Sequence, residues 1–200
     1  MIGKYFLNNC LESTIINDPW SHQIINNTLP QEEFVNLIQE CEKLDVPKDK
    51  LVHIHPEDFD DYNISFYNQI HDISKNVLDN ARLLCDQYPK HRWFENLAVN
   101  AHISVTPPLP WKFYIHQEGL EKIWSSVTYI TPEKNVGTKM YTEQSEDTFF
   151  KEAEWKPNST FIFCGQQGKT WHSYESDQTK QRITLNLFLM KDNKHCFYRG

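Results

Sequence analysis

The sequence predicts a mostly β protein with flanking helices, its β part a sandwich or barrel of about eight strands. Three observations carry that expectation. After Trp93 the chain breaks into short aromatic or β-branched segments separated by Pro, Gly, Asn or charged turns. Before Trp93, two stretches repeat apolar residues at helical spacing, as expected of helices packed on one face of a sheet. Finally, 200 residues at 39% hydrophobic and 14% aromatic suffice for one well-cored domain. Residues 1–200 are therefore read as a single domain, with 1–92 supplying an N-terminal strand and supporting helices and 93–200 the β core.

Residues 1–30 alternate apolar and polar positions; Trp20, Gln23, Ile24 and Ile25 mark an early strand, and Asn26 to Pro30 a turn. Pro30 stands at a helix start, with Gln31, Glu32 and Glu33 in the first turn, where acidic groups favour the helix dipole. Phe34, Leu37, Ile38, Cys41 and Leu44 then predict an amphipathic helix over 31–44. Residues 46–64 are polar and irregular. Phe66, Ile70, Ile73, Val77, Leu78, Ala81, Leu84 and Cys85 predict a longer helix over 65–87, closed by Tyr88-Pro89-Lys90. The strand-like segments that follow are 98–106, 111–117, 122–131, 138–142, 148–155, 159–164, 169–175 and 182–191.

The formal net charge of -7 and pI near 5.7 argue against a broad nucleic-acid or anionic-membrane surface. Five widely spaced cysteines without a CxxC pair read as reduced, buried thiols of a cytoplasmic protein. The N-terminus shows no signal-peptide pattern, and no apolar run approaches the ~18 residues of a membrane span. Gly165-Gln-Gln-Gly168 lacks the lysine and helix of a phosphate loop.

The chemistry concentrates between His116 and Arg182. His116 and Glu118, two apart in an apparent strand, project to one face. His172 in a later strand completes a 2-His-1-carboxylate set, which leaves coordination positions open and suits non-haem Fe(II). Arg182 begins Arg182-Ile-Thr-Leu-Asn-Leu-Phe-Leu189, where a buried cation requires an anion. Thr184 alternates onto the same side, so guanidinium and hydroxyl together make a seat for a carboxylate.

These residues carry a resemblance. The order Tyr114-x-His116-x-Glu118, Lys122 leading into Tyr129-Ile-Thr-Pro132, Gly137-Thr138, Trp171-His172-Ser173 and Arg182-x-Thr184 resembles the Fe(II)- and 2-oxoglutarate-dependent oxygenases, nearest their prolyl-hydroxylase-like branch. The opening from Asp18 to Pro30 resembles the start of small members of that branch. The resemblance covers most of the chain and is most specific over 111–190. It implies a double-stranded β-helix, the cupin-like jelly roll, with helices on its larger sheet. It further implies that His116, Glu118 and His172 bind Fe(II), that Arg182 binds the distal carboxylate of 2-oxoglutarate, and that Thr184 and Tyr129 assist. Lys122 falls near the pocket mouth by the same matching. The implied activity is a dioxygenase that hydroxylates an unactivated C–H bond with release of succinate and CO2, with ascorbate supportive. Peptidyl residues such as proline and small metabolites both fit as substrates. The chain departs from the family's usual aspartate at Glu118, whose extra methylene shifts the iron. Halogenase chemistry is disfavoured, because those members replace the acid with a small residue.

Two rivals stand beside this reading: a cupin-like metal enzyme that does not use 2-oxoglutarate, and a non-catalytic jelly-roll binding module. The first needs no distal-carboxylate seat and the second would lack a ligand, whereas here Arg182, Thr184 and all three ligands are in place. The His53-Ile-His55-Pro-Glu57-Asp58 cluster is read as a solvated loop, His71, His91 and His195 as surface, and His102 as either pocket-lining or solvent-facing.

Overall fold

The computed structural model describes residues 2–177 and 180–199. Two antiparallel sheets form the core. The eight strands expected after Trp93 are β3 (Leu97–Thr106), β4 (Lys112–His116), β5 (Lys122–Thr131), β6 (Thr138–Tyr141), β7 (Phe149–Ala153), β8 (Ser159–Cys164), β9 (Trp171–Glu175) and β10 (Arg182–Lys191). With β1 (His22–Asn26), β2 (Val52–Ile54) and β11 (Tyr198–Arg199), the larger sheet runs β1-β8-β5-β10-β3-β11, with β2 also paired to β3. The smaller sheet runs β4-β9-β6-β7. This is the expected double-stranded β-helix with helices laid on the larger sheet.

Strand β10 shows why the sequence folds this way. Ile183, Leu185, Leu187 and Leu189 point to one face and join Val99, Ala101, Ile103 and Val105 of β3 in the main core. Helices α1 (Ile2–Glu12), α3 (Tyr67–Asp79) and α4 (Ala81–Asp86) close that core through Phe6, Ile70, Ile73, Val77 and Leu84. The alternate residues Arg182, Thr184, Asn186 and Phe188 face the smaller sheet and line a cavity. A second cluster, with Tyr129, Phe161 and Phe163 from the larger sheet and Met140 and Ala153 from the smaller, joins the sheets beside that cavity.

Helix α2 (Gln31–Cys41) ends three residues before the expected 31–44 boundary. The expected helix over 65–87 is two helices, broken at Asn80, whose backbone leaves the helical region (φ -115°, ψ 20°) while its side chain donates to the Asn76 carbonyl. Helix α1 opens the 1–30 stretch, where the sequence shows alternating apolar and polar positions. It docks through Gly3, whose N–H donates to the Asp72 carboxylate and where a Cβ would fall 2.3 Å from the Asp72 carbonyl oxygen. The 46–64 stretch holds β2 and a 3-10 helix, Pro56–Tyr62, rather than a loop throughout.

Candidate active site

A cavity of about 170 Å3 lies between the sheets. Its first wall comes from β4 and β9, whose register places His116 directly opposite His172. The two imidazole centroids are 4.2 Å apart. Each ring fixes its own tautomer by the same device: Nδ1 of His116 donates to the Tyr114 carbonyl at 3.0 Å, and Nδ1 of His172 to the Thr170 carbonyl at 2.9 Å. Both Nε2 lone pairs are therefore left free to bind a cation. Burial holds His116 below its ordinary pKa; burial and then the neighbouring His116 push His172 down to about 4. Both rings are neutral at pH 7, as ligands must be.

Glu118 follows the end of β4 rather than lying within it, yet its carboxylate reaches the same place and is only 7% exposed. Ser125 donates to Oε1 at 2.9 Å, and the Lys122 ammonium lies 2.9 Å from Oε2. Burial works to raise this carboxyl, but Lys122, then His172, outweigh it and hold it below the ordinary carboxylate range. Lys122 also sits 3.6 Å above the Phe188 ring. Its place beside Glu118, beyond a mere pocket-mouth position, is a feature the sequence did not disclose.

Arg182 occupies the opposite end of the cavity and is 2% exposed. Its Nε donates to the Val136 carbonyl at 3.2 Å, and its Nη2 is buried without a partner. Among the described residues no carboxylate forms an ion pair with it. Aromatic rings surround it instead: Tyr174 at 4.8 Å, Trp155 at 4.9 Å and Tyr129 at 5.6 Å from the guanidinium carbon. Thr184 lies beside it on the same face of β10. The Tyr129 hydroxyl is engaged elsewhere: it donates to Thr138 Oγ1 and accepts from the Thr138 N–H, both at 3.0 Å. Tyr129 thus offers Arg182 its ring face, while its hydroxyl braces β6.

The third wall comes from β2 and β3. Strand β2 pairs with β3 so that His53 lies opposite Ser104, which brings His53 to the cavity rim instead of a solvated loop. His102 lines the cavity from β3, 4.5 Å between ring centroids from His53. The available signal was the alternation Asn100-x-His102-x-Ser104 in a strand otherwise apolar on its other face. His71 and His195 are exposed, as expected.

The donor set fits Fe(II): two neutral imidazole nitrogens and one anionic oxygen, with an orphaned cationic donor at the far end of the same cavity. Among the described residues, no three His, Cys, Asp or Glu side chains are gathered tightly enough to chelate an ion as they stand. The reason is local. His172 Nε2 and Glu118 Oε1 are 4.0 Å apart, whereas adjacent ligands each about 2.1 Å from one ion would be about 3 Å apart. The other carboxylate oxygen, Oε2, is paired with Lys122.

No protein-family model matches the chain, and no curated protein matches it. Solved structures do. The fold is similar to that of a prolyl hydroxylase from Trichoplax adhaerens, in complex with a hypoxia inducible factor oxygen degradation domain peptide, at TM-score 0.60 and 11% identity, covering 96% of this chain and 90% of that one. A viral collagen prolyl hydroxylase from Paramecium Bursaria Chlorella virus-1, solved as its 2OG (2-oxoglutarate) complex, aligns at TM-score 0.57 and 11% identity over 89% of this chain and 99% of that one. A Pseudomonas putida prolyl-4-hydroxylase aligns at TM-score 0.53 and 14% identity over 96% of this chain and all of the other. At these identities the likeness is one of fold.

Proposed function

We propose that this chain is an Fe(II)- and 2-oxoglutarate-dependent hydroxylase. One observation carries the reading: a fully buried arginine with an unsatisfied Nη2 and, among the described residues, no ion-paired carboxylate shares a cavity with two Nε2-presenting histidines and a glutamate. An uncompensated guanidinium at that depth is costly unless a ligand anion meets it. The fold shared with 2-oxoglutarate-binding prolyl hydroxylases supports the choice of that anion.

In this reading His116, His172 and Glu118 hold the metal, and Arg182 with Thr184 orients the distal carboxylate of 2-oxoglutarate. The Trp155, Tyr174 and Tyr129 rings keep water from the guanidinium, which strengthens its hold on an anion. Lys122 keeps Glu118 ionised in the absence of metal. When bound, Fe(II) with 2-oxoglutarate and dioxygen supplies the oxidising power to hydroxylate an unactivated C–H bond, with succinate and CO2 released. The five free, buried cysteines support a reducing compartment such as the cytoplasm. Among the described residues, no helix is long and apolar enough to cross a membrane.

The Lys122–Glu118 pair favours a second reading, a metal-independent binding module, because it occupies the carboxylate without an ion. Succinate release from 2-oxoglutarate by the Fe(II)-loaded protein with ascorbate separates the two, since slow uncoupled turnover needs no prime substrate. Turnover should vanish in His172→Ala and return in Arg182→Ala only at much higher 2-oxoglutarate. Absence of both turnover and 2-oxoglutarate binding to Mn(II)-loaded protein would remove the hydroxylase reading.

A further inference from the structure

The cavity has a polar wall that neither the metal ligands nor Arg182 uses. Along β10, the residue two beyond Thr184 is Asn186, buried to 8% exposure, and its register partner on β3 is His102. The hydrogen-bond directions on this wall can be traced from its outer end. Asn100 Nδ2 donates to the His195 carbonyl, which turns Asn100 Oδ1 toward His102 Nδ1 at 3.2 Å. That ring nitrogen must carry the proton, so His102 Nε2 is an acceptor. It accepts from Asn186 Nδ2 at 3.2 Å, and Ser104 Oγ accepts from the same amide nitrogen at 2.7 Å. Both protons of the Asn186 amide are thereby committed. Asn186 lines the cavity, and its Oδ1 is buried without a partner. Because Ser104 Oγ accepts from Asn186, its own hydrogen goes to His53 Nδ1 at 2.9 Å, which leaves His53 with its proton on Nε2 at the exposed rim.

The wall therefore offers one buried acceptor and, at its rim, one donor. A buried amide oxygen left unpaired is rare and destabilising unless a ligand or water satisfies it. We propose that Asn186 and His53 form the substrate seat of this cavity and take a neutral group that both donates and accepts hydrogen bonds, a carboxamide or a hydroxyl on a small molecule or side chain. The inference rests on the hydroxylase reading for its meaning as a substrate site.

The neighbours exclude charged groups. A carboxylate would set oxygen against Asn186 Oδ1, and the anion seat of the cavity is at Arg182, at the start of the same strand. A cation would share this end of the cavity with the Lys122 ammonium above Phe188. The wall itself is uncharged: burial first, then the surrounding imidazoles and Lys122, keep His102 well below its ordinary pKa and His53 below it.

The test uses three probes of similar size, propionamide, propionate and propylammonium, titrated against the protein while the His102 and His53 imidazole signals are followed by NMR. Propionamide should shift both rings and bind about tenfold more tightly than either charged probe, as a single matched buried hydrogen bond implies. Asn186→Leu, close in volume, should erase that preference. Asn186→Asp should invert it toward propylammonium, which keeps the test decisive if the leucine variant misfolds. Equal binding of the three probes, a preference for propionate, or an unaltered propionamide response in Asn186→Leu would overturn the proposal. Binding of 2-oxoglutarate to Mn(II)-loaded wild type is measured in parallel. If that binding is present without an amide preference, only this inference fails; if it is absent, the hydroxylase reading fails, and the probe preference then reports a binding site of another kind.

Discussion

Replacing Arg182 with methionine separates a ligand seat from a structural ion pair. Methionine is unbranched and shorter by the guanidinium end, with no charge and a sulfur suited to aromatic surroundings. The substitution deletes the 3.2 Å hydrogen bond to the Val136 carbonyl, a loss of about 1.5–3 kcal/mol for a charged donor. It also deletes cation–π contacts to Tyr174, Trp155 and Tyr129, together about 1–2 kcal/mol. Against these stands relief of a buried guanidinium with an unpartnered Nη2, a penalty of several kcal/mol. The net change should stay within about 2 kcal/mol, or a Tm shift of at most about 8 °C for a chain of this size. Ligand response should behave differently. With 2-oxoglutarate at a hundred times its Kd, wild type loaded with Mn(II) gains about 2.7 kcal/mol, a rise of about 5–11 °C. Losing two charge-assisted bonds of about 1.5–3 kcal/mol each weakens binding at least about 100-fold and abolishes that rise. Thermal unfolding of both proteins with and without 2-oxoglutarate measures both effects. A ligand-free loss above about 4 kcal/mol, the signature of a broken native ion pair, would refute the reasoning. So would an undiminished 2-oxoglutarate shift.

Three further outcomes follow from the same geometry. His172 titrates near 4 when folded, against an ordinary value of 6.5; its contribution to stability is full above pH 6.5 and is lost as pH falls through about 4, at most about 3 kcal/mol. Urea midpoints should therefore drop between pH 7 and pH 4.5 in wild type, and drop less in His172→Gln. Lys122→Met releases the Glu118 carboxylate and removes a like charge from the metal's surroundings, so Mn(II) affinity followed by EPR should rise about three- to tenfold; a fall would show that Lys122 positions the carboxylate instead. Gly137→Ala would set a Cβ 1.8 Å from the Ala153 carbonyl oxygen where β6 enters the smaller sheet. It should cost about 2–4 kcal/mol, and an unchanged Tm would show that the backbone there gives way.

The long strands of the larger sheet were legible because each carries its own pattern. β5, β8 and β10 fall on the boundaries their β-branched and aromatic runs predict, and β10 alternates cleanly between Leu or Ile and cavity residues. The convergence of His116, Glu118 and His172 on one cavity was legible through spacing, although Glu118 reaches it from beyond the end of its strand. Features that depend on distant partners were hidden. Helix α1, with two asparagines and a glycine, is poor in intrinsic propensity and is held by docking at Asp72. Strand β2 has three residues and exists through pairing with β3, so His53 read as a loop residue. The Asn80 break was obscured because apolar spacing continues through it. The Lys122–Glu118 pair and the commitment of the Tyr129 hydroxyl to Thr138 depend on rotamers and neighbours that no spacing rule specifies.

The two-sided character of β10 also bears on how this protein can change over generations. Its odd-numbered residues, from Ile183 to Leu189, belong to the helix-backed core, while Thr184, Asn186 and Phe188 belong to the cavity. Point mutations at the even positions can redirect ligand preference while leaving the core packing intact. Length changes have no such freedom. Deleting one residue within 183–188 would turn Leu and Ile side chains into the cavity and drive Arg182 or Asn186 toward the helices. Lineages descending from this chain should therefore diversify β10 by substitution at alternate sites, and collect their insertions and deletions in the turns on either side of it.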